Sequence, residues 1–315
     1  MNGIILIGSQ SFGTSNEVVM KLNNWNIIYQ SKTHDYDIPY PDITGIIAGT
    51  EPYFSKYLKR FQNLKVISRM GVGYDHIDLE YCAAHDITVT YSPSGPTRSV
   101  AENTIGYILM LLRGLHIANT DMHNGEWQKH MGYQLGEVNI GILGMGRIGS
   151  TVFDLLSCLS PKQIFACDID KNVHSKYFGT DIEWVDIDDL FRQSNLVTLH
   201  IPLGKNNRYI INDYILHQMP PHSMLVNTSR GALINEVALY EALIDGTLDS
   251  AAIDVFKNEP YNGCLINLPN VILTPHISSM TKTARYFMEM DAVTDCIRVL
   301  ENKKPIHEVI YDSST

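Results

Sequence analysis

Three short segments of this chain carry side chains of complementary chemistry: Asn227-Thr-Ser-Arg230-Gly, Asp254-Val-Phe-Lys-Asn-Glu259-Pro and Thr274-Pro-His276-Ile. Each ends an apolar run with polar residues. An arginine can fork a carboxylate, a histidine can exchange a proton near neutral pH, and a glutamate can orient and charge that histidine. A single histidine among 12 carries little weight; Arg230, Glu259 and His276 together are candidate catalytic residues. Upstream lies Gly144-Met145-Gly146-Arg147-Ile148-Gly149, between the apolar run Val138–Leu143 and an amphipathic stretch. In such a motif the first glycine makes a tight turn, the second admits a pyrophosphate, and the third allows close helix–strand packing. The helix start then offers its N–H groups to the phosphates. Asp168 follows the next apolar run at about the spacing of twenty residues that a dinucleotide site needs. Its carboxylate can accept ribose hydroxyls and would repel a 2′-phosphate, so NAD is expected rather than NADP.

Such residues need strand ends to hold them. Continuous apolar runs occur at Ile4–Ile7, Gly45–Ala48, Val66–Ser68, Ile140–Leu143, Ile164–Ala166, Leu196–Leu199, Met224–Val226, Ala251–Ile253 and Val271–Leu273. Unbroken rather than alternating hydrophobicity is the mark of strands buried on both faces, as in parallel sheets covered by helices. The alternation of runs with amphipathic segments predicts doubly wound α/β architecture. In an open sheet of that kind ligands bind beyond the carboxyl ends of the strands, where Arg230, Glu259 and His276 all fall. Ser92–Thr97 and Ser278–Lys282 are turn-rich boundaries. A long helix is expected over Arg98–Ile117, with Ser99 and Glu102 in capping-box spacing, and a terminal helix over Thr281–Glu301. The expected division is a flavodoxin-like substrate-binding domain of residues 1–95 and 281–315, interrupted by a Rossmann NAD-binding domain of residues 96–280.

The length of 315 residues suits about two domains. Net charge is −10, which argues against a nucleic-acid partner. Five scattered cysteines without a C-x-x-C pattern suggest reduced thiols in a cytoplasm and no metal site. No run approaches the ~20 apolar residues of a membrane span. The chain stops at Thr315, shortly after the expected terminal helix, so no effector module in cis is expected.

These motifs, with Gly71-Val72-Gly73-Tyr-Asp75-His-Ile-Asp78, Arg98-Ser-Val-Ala-Glu102, Gly125-Glu-Trp127 and Leu199-His-Ile-Pro202, resemble the D-isomer-specific 2-hydroxyacid dehydrogenase family along nearly the whole chain. The wording around Ile46–Pro52 and Leu64–Leu79 is most similar to its phosphoglycerate dehydrogenase branch. The resemblance implies that Arg230 binds the substrate carboxylate and polarises the C2 oxygen, that His276 is the proton donor and acceptor, and that Glu259 hydrogen-bonds His276. It further implies that the amides of Val72 and Gly73 hold the carboxylate. Thr228, Ser229 and Asp254 would seat the nicotinamide, and Pro202 would lie near the adenine. Arg69 stands just before the Gly-Val-Gly loop and is either a receptor for a distal anion or a scaffold ion pair. The helix after Arg98 and the arm around Trp127 resemble the family's dimerisation elements, so a homodimer is expected. Pro96, His76 and Leu203–Asn207 depart from the family wording and leave the substrate open. The readings that remain are a dehydrogenase acting on 3-phosphoglycerate, a glyoxylate/hydroxypyruvate reductase, and a non-catalytic, corepressor-like NAD-sensing protein.

Overall fold

Strands that are apolar on both faces need a layer of helices on each side. A computed structural model describes residues 3–9, 11–29 and 42–311 and shows two such sheets. Residues 1–2 and 312–315, the extremes of the expected substrate-binding domain, lie outside the described residues. The chain divides into two compact units, Met1–Pro96 with Ser279–Thr315, and Thr97–Ser278.

The first unit contains β1 (Ile4–Ile7), α1 (Asn16–Lys21), β2 (Asn26–Tyr29), β3 (Ile43–Ala48), α2 (Ser55–Leu58), β4 (Val66–Arg69), α3 (Leu79–Ala84) and β5 (Thr88–Thr90). All pairings are parallel, in the order β2-β1-β3-β4-β5, the flavodoxin-like arrangement. One face packs Leu6, Ile46 and Ile67 against α2 and α3. The other packs Ile5, Ile47 and Val66 against the chain's last helix, which supplies Ala292, Val293 and Cys296.

The second unit contains α4 (Pro96–Arg113, apart from Pro96), α5 (Leu115–His123), β6 (Asn139–Leu143), α6 (Arg147–Ser157), β7 (Gln163–Cys167), β8 (Ile182–Trp184), α7 (Ile187–Gln193), β9 (Leu196–Leu199), α8 (Asp213–Leu216), β10 (Ser223–Asn227), α9 (Glu236–Ile244), β11 (Leu248–Ile253) and β12 (Val271–Leu273). Its sheet runs β12-β11-β10-β9-β6-β7-β8, again all parallel. Winding reverses between β6 and β9, so the switch-point crevice opens beyond their carboxyl ends. The register aligns Cys167, Leu143, Leu199, Asn227, Ile253 and Leu273 across the sheet. The residues that follow them, Asp168, Gly144, His200, Thr228, Asp254 and Thr274, therefore form one row along the ligand-binding edge. That row is anchored in two fully buried layers, led by Ile140, Val152 and Leu196 on one face and Phe191, Leu199 and Leu225 on the other. Each such side chain contributes about 1.5–3 kcal/mol on burial.

Two expectations about helices need correction. The helix expected over Arg98–Ile117 starts at Pro96 and breaks at Gly114, whose φ of +56° only glycine adopts freely. Proline at the first helical position loses no hydrogen bond there. The Ser99–Glu102 capping box does not form, because Ser99 Oγ donates to Ser278 O and Glu102 pairs with Arg98. The terminal helix, α10 (Lys282–Leu300), does have a side-chain cap, with Thr281 Oγ1 accepting from Ala284 N.

Candidate active site

The glycine loop between β6 and α6 uses its glycines for different reasons. Gly144 has φ +96°, and a Cβ there would meet the His200 backbone at 2.8 Å. A Cβ on Gly149 would lie 1.9 Å from the Gly144 carbonyl oxygen, so only glycine lets α6 start this close to the turn. Gly146 faces open space and caps α6 with no side-chain acceptor. Arg147 and Ile148, in the same first turn, are exposed and half-buried respectively. Uncapped N–H groups at a helix start beside an open glycine fit the pyrophosphate of a dinucleotide.

Asp168 sits at the end of β7 as expected and carries a task the spacing did not reveal. Its Oδ2 accepts the Met145 amide at 2.7 Å, and its Oδ1 accepts the Asp170 amide at 2.8 Å. The carboxylate thus fastens the glycine turn to the neighbouring strand end. Across the crevice, the Pro202 carbonyl accepts from Asn207 Nδ2 at 2.8 Å, which closes the exposed loop after β9. His200 lies beside Gly144, with Nε2 3.0 Å from Thr198 Oγ1. Burial pushes its pKa down to about 3, so its ring stays neutral.

Arg230 projects from a loop organised by Asn227, which is fully buried. Asn227 Oδ1 takes both the amide and the hydroxyl of Ser229, and its Nδ2 donates to the Arg230 carbonyl at 2.9 Å. Arg230 itself is half-buried, and its Nη1 donates to Ser229 O at 2.7 Å. A Cβ on Gly231 would strike the Phe256 backbone at 2.2 Å. That close approach sets the arginine loop directly against the segment that leads to Glu259.

Glu259 and His276 form the reactive-looking pair. His276 Nδ1 lies 2.9 Å from Glu259 Oε2, and each side chain is 30% exposed. Glu259 Oε1 also accepts the Phe256 amide at 3.0 Å. Burial pulls the Glu259 pKa upward, but the hydrogen bond and charge of His276 and the Phe256 amide outweigh it. The carboxyl therefore sits below its ordinary value and is ionised at neutral pH. An ionised carboxylate only accepts, so Nδ1 carries a proton and Nε2 is the nitrogen left for exchange.

Asp254 is fully buried and holds the loop of His276. Its Oδ1 accepts Thr274 Oγ1 at 2.5 Å and Ile277 N at 2.9 Å, while Oδ2 accepts Ser278 N at 3.0 Å. Its own carbonyl takes His276 N at 2.9 Å. These bonds sustain a φ of +54° at His276, a region a residue with a side chain enters only when its surroundings hold it there. Sequence reading singled out Asp254 for the cofactor and missed this function; the signal was an aspartate ending an otherwise buried strand.

In the first unit, Arg69 ends β4 with its side chain folded under the following loop. It is 7% exposed, and its Nε donates to Gly73 O at 3.0 Å. Gly71, at φ +138°, leaves room for that guanidinium. Val72 and Gly73 are half-buried, and among the described residues neither amide donates to a protein acceptor. His76 Nε2 lies 3.0 Å from the Gly49 carbonyl oxygen. Among the described residues no cluster of side chains could hold a metal ion, and no helix is long and apolar enough to cross a membrane.

Comparison with known proteins identifies the family. Residues 105–278 match the family model "D-isomer specific 2-hydroxyacid dehydrogenase, NAD binding domain". A glyoxylate reductase of Thermofilum pendens is 37% identical over 251 residues, 77% of this chain and 74% of that protein. A D-3-phosphoglycerate dehydrogenase of Methanocaldococcus jannaschii is 36% identical over 249 residues, which cover 78% of this chain and 47% of that longer protein. The crystal structure of the TT0316 protein from Thermus thermophilus superposes with a TM-score of 0.87 at 26% identity, covering 98% of this chain and all of that one. With a dinucleotide loop after β6 and an Arg, a Glu and a His after β10, β11 and β12 of the same sheet, this chain belongs to the D-isomer-specific 2-hydroxyacid dehydrogenases, oxidoreductases that use NAD.

Proposed function

We propose that this enzyme reduces a small 2-oxo acid of the glyoxylate and hydroxypyruvate class, and that Arg230, Glu259 and His276 carry the chemistry. The observation behind the residue assignment is the 2.9 Å pair of Glu259 and His276, set against the Arg230 loop by the Gly231 close approach. NADH, when bound, supplies the hydride. Arg230 receives the carboxylate of the 2-oxo acid and draws charge toward its C2 oxygen. His276 Nε2 delivers a proton to that oxygen, while Glu259 faces Nδ1 and offsets the charge of the ring in its doubly protonated form. Gly146, the first turn of α6 and Asp168 receive the dinucleotide; Thr228, Ser229, Asp254 and Pro202 complete that receptor. The open amides of Val72 and Gly73 offer donors of the kind a carboxylate accepts. Arg69 supports that loop from beneath through Gly73 O.

Likeness to a glyoxylate reductase supports the substrate class. A second reading, oxidation of 3-phosphoglycerate, draws on the resemblance to the phosphoglycerate dehydrogenase. NADH oxidation with glyoxylate, hydroxypyruvate, pyruvate, 2-oxoglutarate and phosphohydroxypyruvate compared side by side tests both. A clear preference for phosphohydroxypyruvate would overturn the first reading. NADH binding without turnover of any of them would favour a non-catalytic, NAD-sensing role. The molecule acts as a homodimer in this proposal, because α5 buries none of its side chains and the arm beyond it leaves Trp127 78% and Met131 99% exposed. All five cysteines are free thiols, the state a cytoplasm maintains.

A further inference from the structure

Helix α4 turns a polar face toward both loops that carry the proposed chemistry. Thr104 Oγ1 gives its proton to Val100 O at 2.8 Å, so at 3.1 Å it accepts the hydroxyl of Thr228, two residues before Arg230. Asn103 Nδ2 donates to Ser278 Oγ at 2.8 Å. One turn further along the helix, the phenol of Tyr107 lies 2.6 Å from Thr274 Oγ1 and 3.4 Å from Asp254 Oδ1. Tyr107 is 4% exposed, and nothing in the dinucleotide or acid–base motifs calls for a phenol there.

Proton accounting gives this contact a direction. Asp254, as a carboxylate, only accepts, so Thr274 spends its single hydroxyl proton on Asp254 Oδ1. Thr274 Oγ1 must then be the acceptor toward Tyr107. Donation runs from the Tyr107 hydroxyl to Thr274 and from Thr274 to Asp254, which also accepts the amides of Ile277 and Ser278 that follow His276. The bond to Asp254 fixes the proton of the Thr274 hydroxyl, and the phenol on its lone pair adds a second tether that fixes the position of the oxygen. Such series of bonds in a dry interior strengthen one another.

We propose that Tyr107 is a positioning residue: through Thr274 and Asp254 its phenol holds the left-handed backbone of His276 and so aims Nε2. The proposal rests on the acid–base role given to His276 above.

Tyr107→Phe keeps the ring in the core and deletes only the phenolic oxygen. Slight misplacement of a reacting group can lower the rate by up to about a hundredfold, and this variant should lose roughly tenfold in kcat. Its KM and NADH dissociation constant should stay within about twofold, since uniform binding is untouched. Thr274→Val should lose at least as much, and Thr274→Ser should recover most of it. Because Tyr107 acts mainly through Thr274, with only a 3.4 Å direct contact to Asp254, Tyr107→Phe with Thr274→Val should fall well short of the product of the two single effects. Unchanged kcat in Tyr107→Phe, or a double variant that loses the product of the two single effects, would overturn the proposal. Amide hydrogen exchange at Ile277 and Ser278 reads the same network without turnover. It should quicken in Tyr107→Phe, and wild-type exchange there would also overturn it. If the unmodified chain reduces no 2-oxo acid, the exchange result still decides whether Tyr107 holds the loop, separately from the functional reading.

Discussion

Replacing Glu259 by Gln changes almost no volume and asks one question of the proposed mechanism. Two N–H groups converge on this carboxylate, Phe256 N at 3.0 Å on Oε1 and His276 Nδ1 at 2.9 Å on Oε2. A carboxylate satisfies both. A carboxamide has one oxygen, so it can accept from Phe256 or from His276, and its NH2 group then faces the other donor. If the oxygen stays with Phe256, Nδ1 must give up its proton and become an acceptor, which places the proton of a neutral ring on Nε2. The ring then has no anion to offset its charge when doubly protonated. Loss of a hydrogen bond to a charged group costs about 1.5–3 kcal/mol, and with both side chains under a third exposed little of that is recovered from water. At about 1.4 kcal/mol per decade this predicts a fall in kcat of roughly 10- to 150-fold. Substrate-dependent NADH oxidation reads kcat, and NADH fluorescence should report cofactor affinity close to wild type. A Glu259→Gln enzyme with normal kcat would remove Glu259 from the mechanism. A variant that lost NADH affinity and kcat in parallel would show a carboxylate that merely supports the fold.

Arg230→Lys keeps the charge but loses the planar fork, so kcat/KM for 2-oxo acids should fall by about a hundredfold or more; full activity would mean that a point charge suffices. The proposed place of Asp168 at the ribose predicts that kcat/KM for NADH exceeds that for NADPH by at least about tenfold. Asp168→Ser should narrow this gap mainly by weakening NADH, because the Met145 amide also loses its acceptor; equal use of both cofactors by the unmodified enzyme would refute the assignment. His200 titrates near 3 in the fold against an ordinary 6.5, so below about pH 6.5 the unfolded chain takes up a proton the folded ring refuses. Stability should drop as pH falls, and in urea unfolding His200→Gln should lessen that slope by about 1 kcal/mol per pH unit between about pH 6 and 4.5; parallel slopes would show an imidazole that burial does not hold neutral.

The strands that were legible and those that were not differ in one physical respect. All nine apolar runs lie within strands of the two sheets, because a strand covered on both faces cannot alternate. The three strands without such a run, β2, β5 and β8, are all sheet edges. β2 has no buried residue and β8 none, so Asn26–Tyr29 and Ile182–Trp184 lack the long unbroken apolar run of a strand covered on both faces. β12 is also an edge, yet Val271 and Ile272 are buried and kept it visible. The break at Gly114 was hidden for the opposite reason. Leu115 and Ile117 continue the helical spacing of apolar residues, but Leu115 is 51% exposed, so that spacing follows a surface and not the core of its own chain.

At the candidate site, the side chains proposed to do the chemistry stand out because their types are costly to place without a use, and because they recur after consecutive strands. The residues that aim them do not. Asn227 reads as one more polar strand end, yet its side chain ties down the Ser229 and Arg230 backbone. Tyr107 reads as one more apolar position on the buried side of α4, and its phenol finds Thr274, which lies far along the chain and is brought near only by the packing of α4 on the sheet. Arg69 shows the converse. Its charge and its place before a glycine loop allow either a receptor for an anion or a scaffold contact, and the bond from its Nε to Gly73 O gives it a supporting contact under the loop that residue type did not announce. Residue type declares what a side chain can do. Direction depends on a strand register that sets Asn227, Ile253 and Leu273 level, and on one helix laid across the loops that follow them. A substitution on that helix should therefore be felt in the chemistry before it is felt in the stability of the fold.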